Sequence, residues 1–303
     1  MAFEVMNETA LKAKSASLGL AFPNALYGCV LEELIRLVYS SEFSGHLWLA
    51  NPEVLGVDVY RKGQRRLLKF YYMENPKVFA EQKLVPGQKL SWKMASYMIA
   101  IIFQKEHSIY VNWKGMAQQK EYGFAWNLVG ELEGMEVPIE AALIPFEEGT
   151  GILEKEKLVP FMNPEQEITY MKYPSDNLLA DNLYEIIKRL ELIDSMEAYA
   201  ISDEILRTKS ISGRRIVDEL IRLTKDEPKL LRLKRMQQLR SYRDYTYMKK
   251  RWEKYAKSIK SELPEWDAVI ERLCTFMEPV WHAVCKNEIF FDDWMPELGR
   301  FLG

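Results

Sequence analysis

Cysteine and histidine are scarce in this chain of 303 residues, with three of each. Cys29, Cys274 and Cys285 form neither a CxxC pair nor a Cys/His ligand spacing, so a structural zinc site and a disulfide framework have no basis. His46, His107 and His282 lie far apart and read as packed or surface residues, which leaves Ser-His and Cys-His catalysis without support. The phosphate loop GxxxxGK[ST], a strand-borne GxGxxG, HExxH and GxSxG are all missing. Long apolar runs are missing too: the richest, Ser91–Gln104, is short and broken by Lys93 and Ser96. The N-terminus shows no basic-then-apolar leader. The net charge of −3 exerts no global pull toward nucleic acid or an anionic membrane. The expectation is a soluble cytoplasmic protein with reduced thiols and no membrane partner. Any chemistry falls to carboxylates.

What is present describes a globular chain. Hydrophobic residues make up 48%, aromatics 12% and charged residues 28%, enough for one large or two modest cores. No repeat and no low-complexity tract is visible, and composition shifts near residue 170. Before it, helical spacing predicts helices over 1–20, 28–39 and 91–104. The apolar face of the second is Val30, Leu31, Leu34, Ile35 and Val38, with Glu32, Glu33 and Arg36 facing away. Strands are expected over 46–50, 54–60, 66–73, 108–113, 122–129, 136–146 and 168–171. Loops are expected over 75–90, 147–151 and 158–164, and a turn at Lys114-Gly115. After it, helices dominate: 176–200, 214–224, 229–240, 245–260 and 266–284. The fold class is therefore α+β, a mixed sheet domain over 1–172 followed by a helical domain over 173–303.

Two acids stand on expected strands. Asp58 alternates with Val57 and Val59, and Glu140 shares a face with Glu136. An acid on an apolar strand needs water, a partner or a cation. If the two strands are neighbours, these carboxylates offer oxygen ligands to a divalent cation. The segment 229–260 is basic and dotted with aromatics. Lys229, Arg232, Lys234, Arg235, Arg240, Lys249, Lys250, Arg251, Lys254, Lys257 and Lys260 surround Tyr242, Tyr245, Tyr247, Trp252 and Tyr255. Such a mixture suits stacking plus phosphate contact. The acidic balance of the whole chain favours the other reading, a solvated helix whose Lys and Arg stems cover an aromatic core.

The most specific stretch is 173–199. Pro174 with Ser175 and Asp176 offers a helix start, and Leu179, Leu183, Ile186 and Ile187 make one apolar face. Residues Leu178 to Arg189, followed by Asp194-Ser195-Met196-Glu197-Ala198-Tyr199, resemble the AbiEii/AbiGii family of nucleotidyltransferase toxins. The resemblance extends loosely to Gly28 with Leu31, Leu34 and Ile35, to Gly56-Val57-Asp58-Val59, and to 135–146. It implies a polymerase-β-like sheet domain and metal-dependent transfer of a nucleotide from a nucleoside triphosphate to RNA, tRNA or protein. It also implies Mg²⁺ held by Asp58 and Glu140. Lys188 and Arg61 would contact phosphates, and Gly28, Lys62, Asp181, Asn182 and Asp194 would take the nucleotide or acceptor. A cognate antitoxin is the implied protein partner. Gly56 stands where the family has its first acid, and Asn182 where it has a lysine. The second expectation is therefore a catalytically degenerate member that binds a nucleotide, a nucleic acid or a protein without turnover.

Overall fold

The computed structural model describes residues 6–74, 89–146, 154–161 and 164–302. They form an α+β protein, with a mixed sheet in the N-terminal part and mostly helices after it. The described residues fall into two compact units, one within Met1–Glu148 and Leu153–Tyr173, the other from Pro174 onward.

In the first unit α1 (Glu8–Ser17) starts at Asn7, whose side chain accepts from the Ala10 amide. It is followed by α2 (Phe22–Ser40), which carries Pro23 in its first turn, where a missing N–H costs nothing. The helix is apolar almost all round and buried accordingly. Glu32 and Glu33 do not face away as their spacing suggested: they are 3% and 1% exposed. The reason is long-range partners. Glu33 is gripped by both arms of the Arg36 guanidinium at 2.7 Å, by the Ser108 hydroxyl and by the Ile109 amide, and Glu32 accepts from the Phe161 amide.

Seven strands make one sheet: β1 (Leu47–Leu49), β2 (Leu68–Met73), β3 (Asn112–Lys120), β4 (Gly123–Leu132), β5 (Met135–Phe146), β6 (Glu154–Leu158) and β7 (Ile168–Lys172), in the spatial order β3-β4-β5-β2-β1-β7-β6. β3, β4 and β5 form an antiparallel meander. β5 then pairs parallel with β2, and β1 parallel with β7. The β4–β5 turn is Glu133-Gly134, both at positive φ, the two-residue geometry that matches strand twist. Side chains from α2 and α4 (Trp92–Ile102) share a core with Phe70, Trp126, Leu128, Ile139 and Leu143. Ser91 caps α4 by accepting from the Met94 amide.

Several sequence expectations fail here. Residues 54–60 are not a strand: Pro52–Leu55 is a 3₁₀ turn and Val57–Arg61 a short helix, α3. The β-branched valines suggested a strand, but Pro52, the break at Gly56 and a one-turn Asp58–Arg61 pair specify turns. The strand expected from 108 begins at 112. Lys114-Gly115 lies inside β3, and the chain reverses at Glu121-Tyr122. β6 was not anticipated. Of the expected loops, 75–88, 147–151 and 162–163 lie outside the described residues.

The second unit is built on α5 (Ser175–Arg189), α6 (Glu197–Thr208), α7 (Gly213–Thr224), α8 (Lys234–Ser241), α9 (Thr246–Ser258) and α10 (Trp266–Lys286). Leu179, Leu183, Ile186 and Ile187 are fully buried, as their spacing predicts. They share a core with Leu220, Trp252, Leu273, Met277 and Trp281. No side chain caps α5; Asp176 instead pairs with Arg215 of α7 at 2.7 Å. A small sheet that the helical reading missed joins β8 (Ile211–Ser212), β9 (Asp293–Met295) and β10 (Arg300–Leu302) around buried Trp294.

Candidate nucleic-acid interface

The residues expected to bind metal and nucleotide are divided between the two units. In the first, Asp58 is on α3, its side chain 83% exposed, and it pairs with Arg61 at 2.6 Å. Arg61 is thus engaged by the acid it was to assist, and it also donates to the Leu18 carbonyl. Lys62 ends the same short helix. Glu140 is on the outer face of β5, opposite Asn127, and pairs with Lys120 at 3.8 Å. It borders an open groove of about 630 Å³ with Lys114, Met116, Val129 and Pro138. The premise of two carboxylates on neighbouring strands fails, because Asp58 is on no strand and β5 lies between β4 and β2. Among the described residues no group of three or more His, Cys, Asp or Glu gathers to hold a metal ion. These residues do not fit a carboxylate-held Mg²⁺. Gly28 is buried and packed: a Cβ there would meet the Tyr60 ring at 2.7 Å and the Phe161 ring at 2.8 Å. Its smallness admits two rings, not a phosphate.

In the second unit Lys188 Nζ lies 2.6 Å from a Glu227 carboxylate oxygen and 3.1 Å from the Tyr184 hydroxyl. The hydrogen bond that Lys188 donates to Glu227 raises the Lys188 pKa, and the same bond lowers that of Glu227. The Asn182 amide donates back to the Leu178 carbonyl at 2.7 Å, a bond inside its own helix. Asp181, one residue earlier on α5, is half-buried. Asp194 is exposed and pairs with Arg189 at 3.3 Å.

The basic segment behaves differently. Residues 229–260 hold twelve Lys and Arg against two acids, Asp244 and Glu253, in a chain of net charge −3. Part of this charge is structural. Arg235 donates to the carbonyls of Ile187 and Lys188 at the end of α5, where the helix leaves carbonyls unpaired. Arg251 donates to the carbonyls of Glu191, Ile193 and Asp194. Arg240, Arg243 and Lys249 pair with Glu278, Glu271 and Asp267.

Of the remaining seven, Lys250, Lys254 and Lys257 lie on α9, and Lys229, Arg232, Lys234 and Lys260 lie outside it. Met248 and Trp252 bury one face, with the Trp252 indole donating to the Pro264 carbonyl. Tyr247, Lys250, Lys254 and Lys257 recur at intervals of three and four and share a different, exposed face. The three lysines form no ion pair among the described residues. A tyrosine series leads into the N-terminal end of α9. The Tyr242, Tyr245 and Tyr247 rings follow one another at 5.9 and 5.8 Å, passing from buried to 44% and 51% exposed. Arg251 lies over the Tyr247 ring at 5.7 Å. Buried Tyr242, bonded to Glu191, anchors the series.

Against models of known protein families the chain finds no match. No curated protein matches it either.

No single helix among the described residues is long and apolar enough to cross a membrane.

Proposed function

We propose that this protein binds single-stranded nucleic acid through the exposed face of α9, without metal-dependent turnover. The observation that carries this reading is the alignment of Tyr247, Lys250, Lys254 and Lys257 on one face that has no neutralising partner among the described residues. Lysines meet phosphates as mobile point charges. Exposed tyrosines give bases of any identity a stacking surface. From Lys250 to Lys257 the helix rises about 10 Å, a distance over which one nucleic-acid strand carries about three phosphates.

The transferase reading draws its support from the resemblance of 178–199. Its required acid pair is unsupported by the positions of Asp58 and Glu140, so the Mg²⁺ it implies has no pair of neighbouring carboxylates to hold it. The test is fluorescence anisotropy with a labelled single-stranded RNA. Binding by the wild type, weakened about tenfold or more by combined Tyr245→Ala and Tyr247→Ala, supports the proposal. Equal binding by both chains overturns it.

A further inference from the structure

The two edges of the seven-stranded sheet are protected to different degrees. β6 is five residues long and alternates Glu154, Lys155, Glu156 and Lys157, the usual defence of an edge against pairing. β3, at the other edge, is nine residues long, has no proline, and keeps an unbroken register with β4 from Asn112 to Lys120. Among the described residues no strand pairs with its outer side. Its two lysines are not free guards, since Lys114 lies 3.9 Å from Glu136 and Lys120 3.8 Å from Glu140, both on β5.

The midpoint of this strand is apolar on both faces. Met116 projects outward and is 68% exposed. On the core side the exposed indole of Trp92 donates to the Ala117 carbonyl at 3.1 Å. A carbonyl has two lone pairs, so this bond leaves the backbone edge usable. The strand is also compatible with itself. Laid antiparallel about Met116, it sets Gly115 against Ala117, Lys114 against Gln118, Trp113 against Gln119 and Asn112 against Lys120. No like charges face each other, the smallest residues flank the axis, and Met116 meets Met116. Centring on a residue keeps paired side chains on the same face of the sheet.

We infer that the outer edge of β3 joins two copies of this chain, antiparallel about Met116, into one continuous sheet. Sedimentation velocity of the full chain tests this from about 5 to about 200 μM, where interfaces of modest area associate. The wild type forms a concentration-dependent dimer. Met116→Lys and Met116→Glu each weaken association about fivefold or more, because like charges then meet at the axis, and mixing the two restores a dimer. Both variants sit on an exposed side chain, so the fold is retained. Register is tested separately: Met116→Cys, oxidised with oxidised glutathione, closes an intermolecular disulfide, whereas Asn112→Cys does not. A wild type that stays monomeric throughout overturns the inference. So does a dimer that Met116→Lys leaves unchanged, or equal cross-linking by the two cysteine variants.

Discussion

Asn177 on α5 donates its side-chain amide to Glu219 on α7 at 2.7 Å, with both residues almost wholly inside the unit. Glu219 is also held by Arg222, one turn along its own helix, at 2.6 Å. The same arrangement recurs. Buried Asp203 is held by Arg207 one turn on and by Arg272 of α10. Buried Glu33 is held by Arg36 one turn on and by the 108–109 backbone and hydroxyl. In each case an acid enters the interior with a local arginine and takes a second donor from a distant element.

Removing the distant donor should therefore be costly. Asn177→Leu is expected to destabilise the second unit by about 1–3 kcal/mol, the cost of leaving a buried charged acceptor short of a donor. Asn177→Asp places a second carboxylate beside Glu219. Its deficit should be largest at neutral pH and shrink as the pH falls and one acid protonates. Urea denaturation at two pH values checks both outcomes.

Gly28 is required by packing. Gly28→Ala should cost about 1–3 kcal/mol, because the new methyl group overlaps the Tyr60 and Phe161 rings. Phe161→Leu in the same chain should recover part of that loss. Chemical denaturation of the single and double variants measures the coupling.

Asp58 should be dispensable. Its exposed one-turn pair with Arg61 contributes little, so Asp58→Ala should change stability by less than about 0.5 kcal/mol. Adding Mg²⁺ and a nucleoside triphosphate should produce no thermal shift that depends on Asp58. A shift present in the wild type and absent in the variant would restore the metal reading.

The Lys188–Glu227 pair predicts a small pH dependence. The lowered pKa of Glu227 gives stability that is present above the ordinary carboxylate range and lost as pH falls through the depressed value. The raised pKa of Lys188 gives stability that is present below the ordinary lysine pKa and lost as pH rises through the raised one. Lys188→Met should flatten the acid limb, at and below the ordinary carboxylate range. Both side chains are about one-third exposed, so the effect should be modest. Thermal melts across that range read it.

Amphipathic helices and the strands β2, β4 and β5 were legible from local pattern. Leu179, Leu183, Ile186 and Ile187 repeat at helical spacing and are all buried, and alternation along 136–146 placed β5. Part of what failed was non-local. Glu32 and Glu33 read as solvent-facing because their partners at Phe161, Ser108 and Ile109 are far away in sequence. Residues 54–60 read as a strand because Val57 and Val59 are β-branched, whereas Gly56 and the Asp58–Arg61 pair favour a turn of helix. The buried acids did carry a local signal in the arginine three or four residues later: Arg36, Arg207 and Arg222. The basic segment was visible, but its division into structural arginines and an open lysine face required the partners.

The salt dependence of RNA binding tests the central claim most directly. With about three phosphates neutralised on a single strand, the wild type should show a slope of log K against log salt of about −2. Combined Lys250→Gln, Lys254→Gln and Lys257→Gln should weaken binding at low salt and bring that slope close to zero. The same slope in wild type and variant would contradict the account, because the phosphates would then be held elsewhere.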